Sequence, residues 1–377
     1  MSDQDDDNQM DTQNDPNLLR ARKGRGSTSN HSGRFESEKR IAFDDGWGTV
    51  DEPAPRVDTQ VTTERTSKIL SRNQSPDIPF DRSINPYRGC EHGCIYCFAR
   101  PTHAFLGLSP GLDFESKLVA KPEAPAALRA ELNKTNYRCQ TIALGANTDP
   151  YQPVERQLGI TRAILETLRD YHHPVSIVTK SNLILRDLDI LTDLAAKNLA
   201  NVLISITSLD RTLARRMEPR APTPGRRLDT VRQLRAGQVP VGVLASPMIP
   251  GLNDTELELI LDAAAEAGAL SANYILVRLP LEIKKLFAEW LDENYPERAK
   301  RVLNLIRETR NGALYQSEFT TRMRGTGTYA QLLAQRFDIA ARRLGLNHPM
   351  PALDCTRFRN SRAGIRQLDL FGPQTDR

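Results

Sequence analysis

Three cysteines, Cys90, Cys94 and Cys97, fall within eight residues in the order Cys-x3-Cys-x2-Cys. Thiolates are soft ligands that suit iron–sulfur clusters. Three of them on one tight loop can each take one iron of a cubane, and the fourth iron is then left without a protein ligand. An open position of that kind means reactivity rather than electron storage alone. Gly89 and Gly93 lie in the same loop and let its backbone wrap closely. A structural zinc site is the rival reading. It would need a fourth ligand from His92 or Cys139, but His92 is wedged between two of the cysteines, and zinc ligands usually come as two separated couples.

The remaining cysteines, Cys139 and Cys355, stand alone in the sequence and read as inert small hydrophobes. Five cysteines in 377 residues exclude a disulfide-built scaffold, and the clustering of three is a ligand pattern of a reducing compartment. The acidic start, Met1 to Asp7, has no apolar stretch of the signal-peptide kind. No run approaches the roughly 18 apolar residues of a membrane span. These features predict a cytoplasmic protein.

The elements that must position the cysteines show as continuous apolar, β-branched runs: 141–146, 175–180, 202–207, 241–245 and 272–279, with a first strand near Ser83–Tyr87. Their spacing is that of βαβ units, and the runs do not alternate, as expected for parallel strands buried on both faces. Helical periodicity falls between them, at 157–171, 186–199, 225–236 and 254–267. About six units predict an α/β fold, a partial (βα)6 TIM-like barrel, with a doubly wound sheet as the alternative. Helices are expected at 282–293, 297–308 and 329–344. The predicted organisation is a disordered tail over 1–70, a core domain over 71–315, and a helical, basic extension with a flexible tail over 316–377. The tail assignment rests on six Asp in residues 1–16, a switch to Arg and Lys in 17–40, and no apolar periodicity in either half. The cysteine loop follows the first strand, at the end of a parallel barrel where function sits.

At this point the chain resembles the radical S-adenosylmethionine (SAM) superfamily, on Cys-x3-Cys-x2-Cys with Tyr96 before the last ligand and five downstream βα repeats. Within it, the segments NPYRGCEHGCIYCFAR (85–100), ALGANTDPYQPVE (143–155), IVTKSNLILRD (177–187), ISITSLD (204–210) and ASPMIPGLND (245–254) resemble the spore photoproduct lyase-like, DNA repair photolyase-related branch. The resemblance covers about residues 80–310, with a weaker stretch at Gly24–Glu36. It implies that Cys90, Cys94 and Cys97 ligate a [4Fe–4S] cluster and that SAM chelates the remaining iron. The reduced cluster then splits SAM, and the resulting 5′-deoxyadenosyl radical abstracts a hydrogen. It also implies that Tyr96 packs by the adenine, Lys180 meets the SAM carboxylate, Ser205 and Thr207 lie near SAM, and Ser246 lines the nucleoside. The electron would come from a flavodoxin-like or ferredoxin-like donor.

Two departures limit the carry-over. The lyase carries a hydrogen-returning cysteine after its second strand, where this chain has Asn147. It has a tyrosine after the last ligand, where this chain has Phe98, which holds no transferable hydroxyl hydrogen. A substrate other than spore photoproduct is therefore expected, with Asn147 and Asp149 as the candidates to touch it; Asp149 can equally cap the following turn. Residues 297–366 hold 14 Lys and Arg against five Asp and Glu, a surface compatible with nucleic acid. Gln367, Leu368, Asp369, Leu370 and Phe371 resemble the pentapeptide that binds the bacterial sliding clamp. The favoured reading is a radical SAM enzyme acting on a nucleic acid or nucleotide-like substrate. Two others stand beside it: a radical SAM enzyme acting on a protein or small metabolite, and a non-catalytic metal-binding or clamp-associated module.

Overall fold

The computed structural model describes residues 24–36 and 57–360. The apolar runs form the expected strands, and the described residues hold ten. These are β1 (Gln60–Thr63), β2 (Leu70–Arg72), β3 (Arg82–Ile84), β4 (Tyr87–Arg88), β5 (Lys117–Ala120), β6 (Ile142–Leu144), β7 (Val175–Thr179), β8 (Ala200–Ser205), β9 (Val241–Met248) and β10 (Ala272–Leu276). Seven make the main sheet, in the order β10-β9-β8-β7-β6-β3-β2. Six of these, β3 and β6 to β10, are parallel neighbours in chain order. β2 adds to β3 antiparallel. The edge strands β10 and β2 are not paired with each other, so the sheet is open.

Helices fill the connections: α1 (Leu112–Ser116), α2 (Ala124–Leu132), α3 (Glu155–Leu158), α4 (Ile160–Asp170), α5 (Leu188–Ala195), α6 (Arg211–Met217), α7 (Pro224–Ala236), α8 (Leu257–Glu266), α9 (Ile283–Asn294), α10 (Pro296–Glu308) and α11 (Gly327–Arg343). Their apolar stripes face the sheet. In α4 the stripe is Ile160, Ile164, Leu165 and Leu168, all buried against strand residues such as Ile177, Val202 and Ile204. Each such side chain contributes about 1.5–3 kcal/mol by leaving water. No described helix is long and apolar enough to cross a membrane.

Three expectations need correction. The first strand does not run from Ser83 to Tyr87. It ends at Ile84, because Pro86 has no N–H to continue a ladder. Tyr87–Arg88 instead pairs antiparallel with β5, which also takes β1 in parallel, making a second, three-stranded sheet. The segment 1–70 is not all tail: Arg25 to Ser29 are buried, and 57–70 contributes β1 and the start of β2. What fixes them is polar pairing with the core, a signal that apolar periodicity does not carry. Residues 1–23 and 37–56 lie outside the described residues. Thirdly, the C-terminal helix is no appendage. In α11, Leu333 and Phe337 join the main core, the Phe337 ring stands 4.9 Å from Tyr274, and Arg336 pairs with Glu258 of α8 at 2.6 Å.

The stretch before α11 also ties the open sheet. The Leu276 amide at the β10 edge donates to the Met323 carbonyl at 2.9 Å. The neighbouring Arg322 grips Asp77, in the β2–β3 connection, through two bonds of 2.6 and 2.5 Å. One half-buried ion pair thus spans from one edge strand to the other. The tail sequence 367–371 lies outside the described residues.

Candidate functional site

The cysteine loop leaves β4 and crosses the C-terminal ends of the parallel strands. Its backbone is closed by Cys90 N–H to Phe114 O at 2.9 Å, Gly93 N–H to Cys90 O at 3.3 Å and Cys97 N–H to Cys94 O at 3.2 Å. Gly89 and Gly93 take φ of 75° and 68°, a left-handed conformation that side chains other than glycine adopt at a cost. Ile95 is fully buried and pins the middle of the loop, its amide donating to Met217 O at 3.0 Å. Beneath the loop lies Arg100, fully buried. It donates to the carbonyls of Cys94 (2.8 Å), Gly93 (3.1 Å), Gly111 (2.8 Å) and Pro110 (3.1 Å), and pairs with the Glu115 carboxylate.

Cys90 and Cys94 are buried and Cys97 is half-buried. Burial pushes the Cys94 thiol up to about 12, helped by the charge of Glu218. Burial and the charge of Asp149 push Cys90 up further still, and burial raises Cys97. Thiols in this setting stay protonated until a metal cation binds and displaces the proton into solvent. Among the described residues no three His, Cys, Asp or Glu side chains converge on one point as ligands of a single ion would. A cubane makes a different demand, one separate thiolate per iron, and three soft donors on a glycine-bearing loop meet it.

Opposite the loop, the strand ends supply a buried polar network. Lys180 follows β7. Its ammonium donates to Ser205 Oγ, at the end of β8, at 2.9 Å and lies 3.9 Å from Glu218 and 5.8 Å from the centroid of the Tyr96 ring. The Tyr96 hydroxyl donates to Glu218 and lies 3.2 Å from Thr207 Oγ1. Ser205 and Thr207 both donate to the Ser246 carbonyl, at 3.0 and 3.1 Å. Glu218 is fully buried. Burial alone would raise it, yet Arg227 and then Lys180 overcome that and hold it at about 2. Arg227, equally buried, pairs with Glu218 and donates to the Ser205 carbonyl at 3.1 Å.

The same end holds Asp149, brought down to about 2 against its burial, chiefly by His92. Its oxygens accept from the amides of Tyr151 (2.9 Å) and Lys180 (2.8 Å) and from Thr179 Oγ1 (2.6 Å), and His92 Nδ1 stands 3.3 Å away. The bond to Tyr151 is the turn cap that the sequence allowed, and the others point inward. Asp149 ties the cysteine loop, through His92, to the strand that presents Lys180. Asn147, half-buried at the exit of β6, uses its backbone N–H on Asn85 Oδ1 at 3.0 Å and leaves its side chain without a hydrogen bond among the described residues. Phe98 points outward beneath the Arg278 guanidinium, 5.1 Å from the ring centroid.

The structure therefore brings together Tyr96, Lys180, Ser205, Thr207 and the carbonyl, not the hydroxyl, of Ser246. The residues that sequence reasoning passed over are Glu218, Arg227, Arg100 and Glu115. Glu218 and Arg227 flank a Pro-rich turn after α6, where no periodicity marks burial. Arg100 stands inside the segment 85–100, but nothing about an arginine three residues past a ligand says that it is buried.

The radical SAM superfamily model matches residues 84–264. An uncharacterized protein of Mycobacterium bovis is 37% identical over 232 residues, which are 61% of this chain and 68% of that protein. An uncharacterized protein of Methanocaldococcus jannaschii is 28% identical over 221 residues, 59% of this chain and 79% of that protein. Among solved structures, spore photoproduct lyase complexed with dinucleoside spore photoproduct gives a TM-score of 0.53 at 16% identity, covering 75% of this chain and 78% of that one. At that identity the likeness is one of fold. The chain belongs to the radical SAM superfamily, a superfamily of enzymes that use a [4Fe–4S] cluster and SAM.

Proposed function

We propose that this chain is a radical SAM enzyme built on a partial (βα)6 barrel, acting on a nucleic acid or nucleotide-like substrate other than spore photoproduct. The observation that carries the reading is one loop that holds Cys90, Cys94 and Cys97 together with Tyr96, whose ring stands 5.8 Å from the Lys180 ammonium at the strand ends. Cys90, Cys94 and Cys97 are the cluster ligands. When bound, the cluster and SAM supply a 5′-deoxyadenosyl radical that abstracts hydrogen. Lys180 offers its ammonium to the SAM carboxylate, a point charge at the rim of the site. The fully buried Glu218–Arg227 pair fixes the Tyr96 hydroxyl and the far side of Lys180, so neither side chain must be ordered when SAM arrives. Asp149 holds Lys180 from behind.

The substrate class is supported by a cation and a ring after β10: Arg278 lies over the exposed Phe98 ring at 5.1 Å. Guanidinium groups beside exposed rings suit phosphates and bases. With Asn147 and Phe98 where the lyase has its two hydrogen-relay groups, the hydrogen that ends the reaction comes from another source. Electrons enter from a flavodoxin-like or ferredoxin-like donor. On the same reading residues 367–371 engage a sliding clamp, and clamp pull-down should fall when Leu370 and Phe371 are both changed to Ala.

Anaerobic reconstitution followed by dithionite and SAM should yield 5′-deoxyadenosine, and deuterium from the correct substrate should appear in it. Absence of 5′-deoxyadenosine from a wild-type chain carrying its full iron would overturn the reading.

A further inference from the structure

Residues 24–36 hold no proposed ligand and precede the cysteine loop by more than fifty residues, yet they are built into it. Gly26 is pressed against the loop: a Cβ placed on it would stand 1.8 Å from the Gly93 carbonyl oxygen, so any side chain there must drive two backbones apart. The Glu115 carboxylate accepts the amides of Gly26 and Ser27 at 2.8 Å each. The same carboxylate pairs with Arg100, which holds the carbonyls of Gly93 and Cys94 inside the loop. Arg25 donates to the Glu115 carbonyl at 2.6 Å and reaches the Val57 carbonyl at 2.8 Å. Further along, Ser29 O accepts from Leu112 N–H at 3.2 Å, and Asn30 and Asp113 exchange two bonds of 3.1 and 3.2 Å. Ser29 Oγ donates to Glu289 of α9 at 2.6 Å.

We propose that residues 25–30 are a strap belonging to the cysteine site, latched by Glu115 and Arg100, and that its seating sets the loop's conformation and shields the thiols from solutes. Glu115 and Arg100 act as positioning residues. One buried carboxylate serves both partners, so the strap and the loop cannot shift independently. Loss of its charge leaves Arg100 buried without a counter-ion, and a buried unpaired charge is strongly disfavoured. The loop then gains states in which its carbonyls turn away. The proposal takes its meaning from the assignment of Cys90, Cys94 and Cys97 as ligands, but its test does not need the cluster.

The metal-free full-length chain is treated with iodoacetamide, and the alkylation rate of each cysteine is read by peptide mass spectrometry. Gly26→Ala and Glu115→Gln should each speed alkylation of Cys90 and Cys94 by about tenfold or more, the signature of local opening. Cys139 and Cys355, which lie outside the strap's contacts, serve as internal references whose rates should stay near those of the wild type. Arg336→Ala, which breaks the pair with Glu258 in α8, controls for general loosening. Equal rates at Cys90 and Cys94 in wild type and Gly26→Ala, or an equal rise in Arg336→Ala, would overturn the proposal. Should both strap variants fail to fold, hydrogen exchange on the wild type decides. The Gly26 and Ser27 amides should exchange as slowly as those of β8, and exchange at exposed-loop rates refutes the strap. In the reconstituted protein the same variants should lose the cluster's visible absorption faster in air. A wild-type chain that takes up no iron counts against the ligand assignment alone, and the alkylation rates still decide the strap.

Discussion

The two ends of the parallel sheet use cysteine in opposite ways. At the C-terminal end, Cys90, Cys94 and Cys97 sit on a loop stapled by buried charges: Arg100 with Glu115 below, Glu218 with Arg227 opposite, and Asp149 behind. At the N-terminal end, Cys139 precedes β6 and meets Cys355 in the last described turn, with Arg82 and Asp354 as its charged neighbours and an aromatic cluster beside it. There Phe358 lies 5.3 Å from Tyr137, 5.4 Å from His173 and 6.4 Å from Tyr171, and His173 shares a 2.7 Å hydrogen bond with the Tyr137 hydroxyl. One end bears the cost of burying ions to hold a few atoms in place, and the other is packed for cohesion. A cysteine's neighbours, more than its own burial, show which of the two it serves.

The sharpest way to break this contrast is to exchange the roles. Cys94→Ala should remove all 5′-deoxyadenosine formation and most iron uptake, while Cys139→Ala should leave both near wild type, as read by product chromatography and iron analysis. Next in size, Glu218→Gln leaves Arg227 buried without its partner, and breaking a buried pair from one side costs about 3–5 kcal/mol. Chemical denaturation should show that loss. SAM binding by the reconstituted protein should weaken as well, because Lys180 and Tyr96 lose their common anchor.

Acidification acts in two windows, one set by buried histidines at both ends and a lower one set by carboxylates at the cysteine end. Burial pushes His173 down to about 4, so between roughly 6.5 and 4 the unfolded chain takes up a proton that the folded chain refuses. The stability due to the neutral ring is therefore complete above the unfolded value and is lost as pH falls toward 4, by on the order of 3 kcal/mol. His103, also pushed by burial to about 4, adds to the same window. Asp149 and Glu218 act lower. Each is held near 2, so their contribution is present above the ordinary carboxylate range and disappears as pH drops from there toward 2. His173→Gln should flatten the Tm profile between pH 6.5 and 4 and leave the lower limb unchanged; an unaltered upper limb would refute the assignment. The smallest effect expected is that of Phe358→Ala. This half-buried ring should cost about 1 kcal/mol, the order of an aromatic cluster contact, and should leave iron content untouched.

Much of this arrangement was legible in the residue order. Runs such as 175–180 and 241–245 became β7 and β9 because strands buried on both faces leave an unbroken apolar record. The cysteine spacing marked the loop, and Lys180, Ser205 and Thr207 entered through the family resemblance; they stand at the ends of β7 and β8. The strap left no periodic signal, because Arg25, Gly26 and Ser27 are held by one distant residue, Glu115, through its carbonyl and its carboxylate, 88 to 90 residues away. Asp149 was read as a residue that could touch substrate or cap a turn, and only its partners separate those roles. Glu218 escaped for a related reason: composition marks a carboxylate as a surface group, and burial with Arg227 reverses that.

The bond between Arg322 and Asp77 spans 245 residues of chain. A ribosome adding about 5–20 residues per second needs roughly 12 to 50 seconds to cover that distance. Cys90 to Cys97 follow Asp77 by 13 to 20 residues, so for most of that interval the cysteine loop is already made, while the strand edge that will be tied to β2 is not. The order of synthesis thus presents the three thiols before the sheet's two edges can be joined.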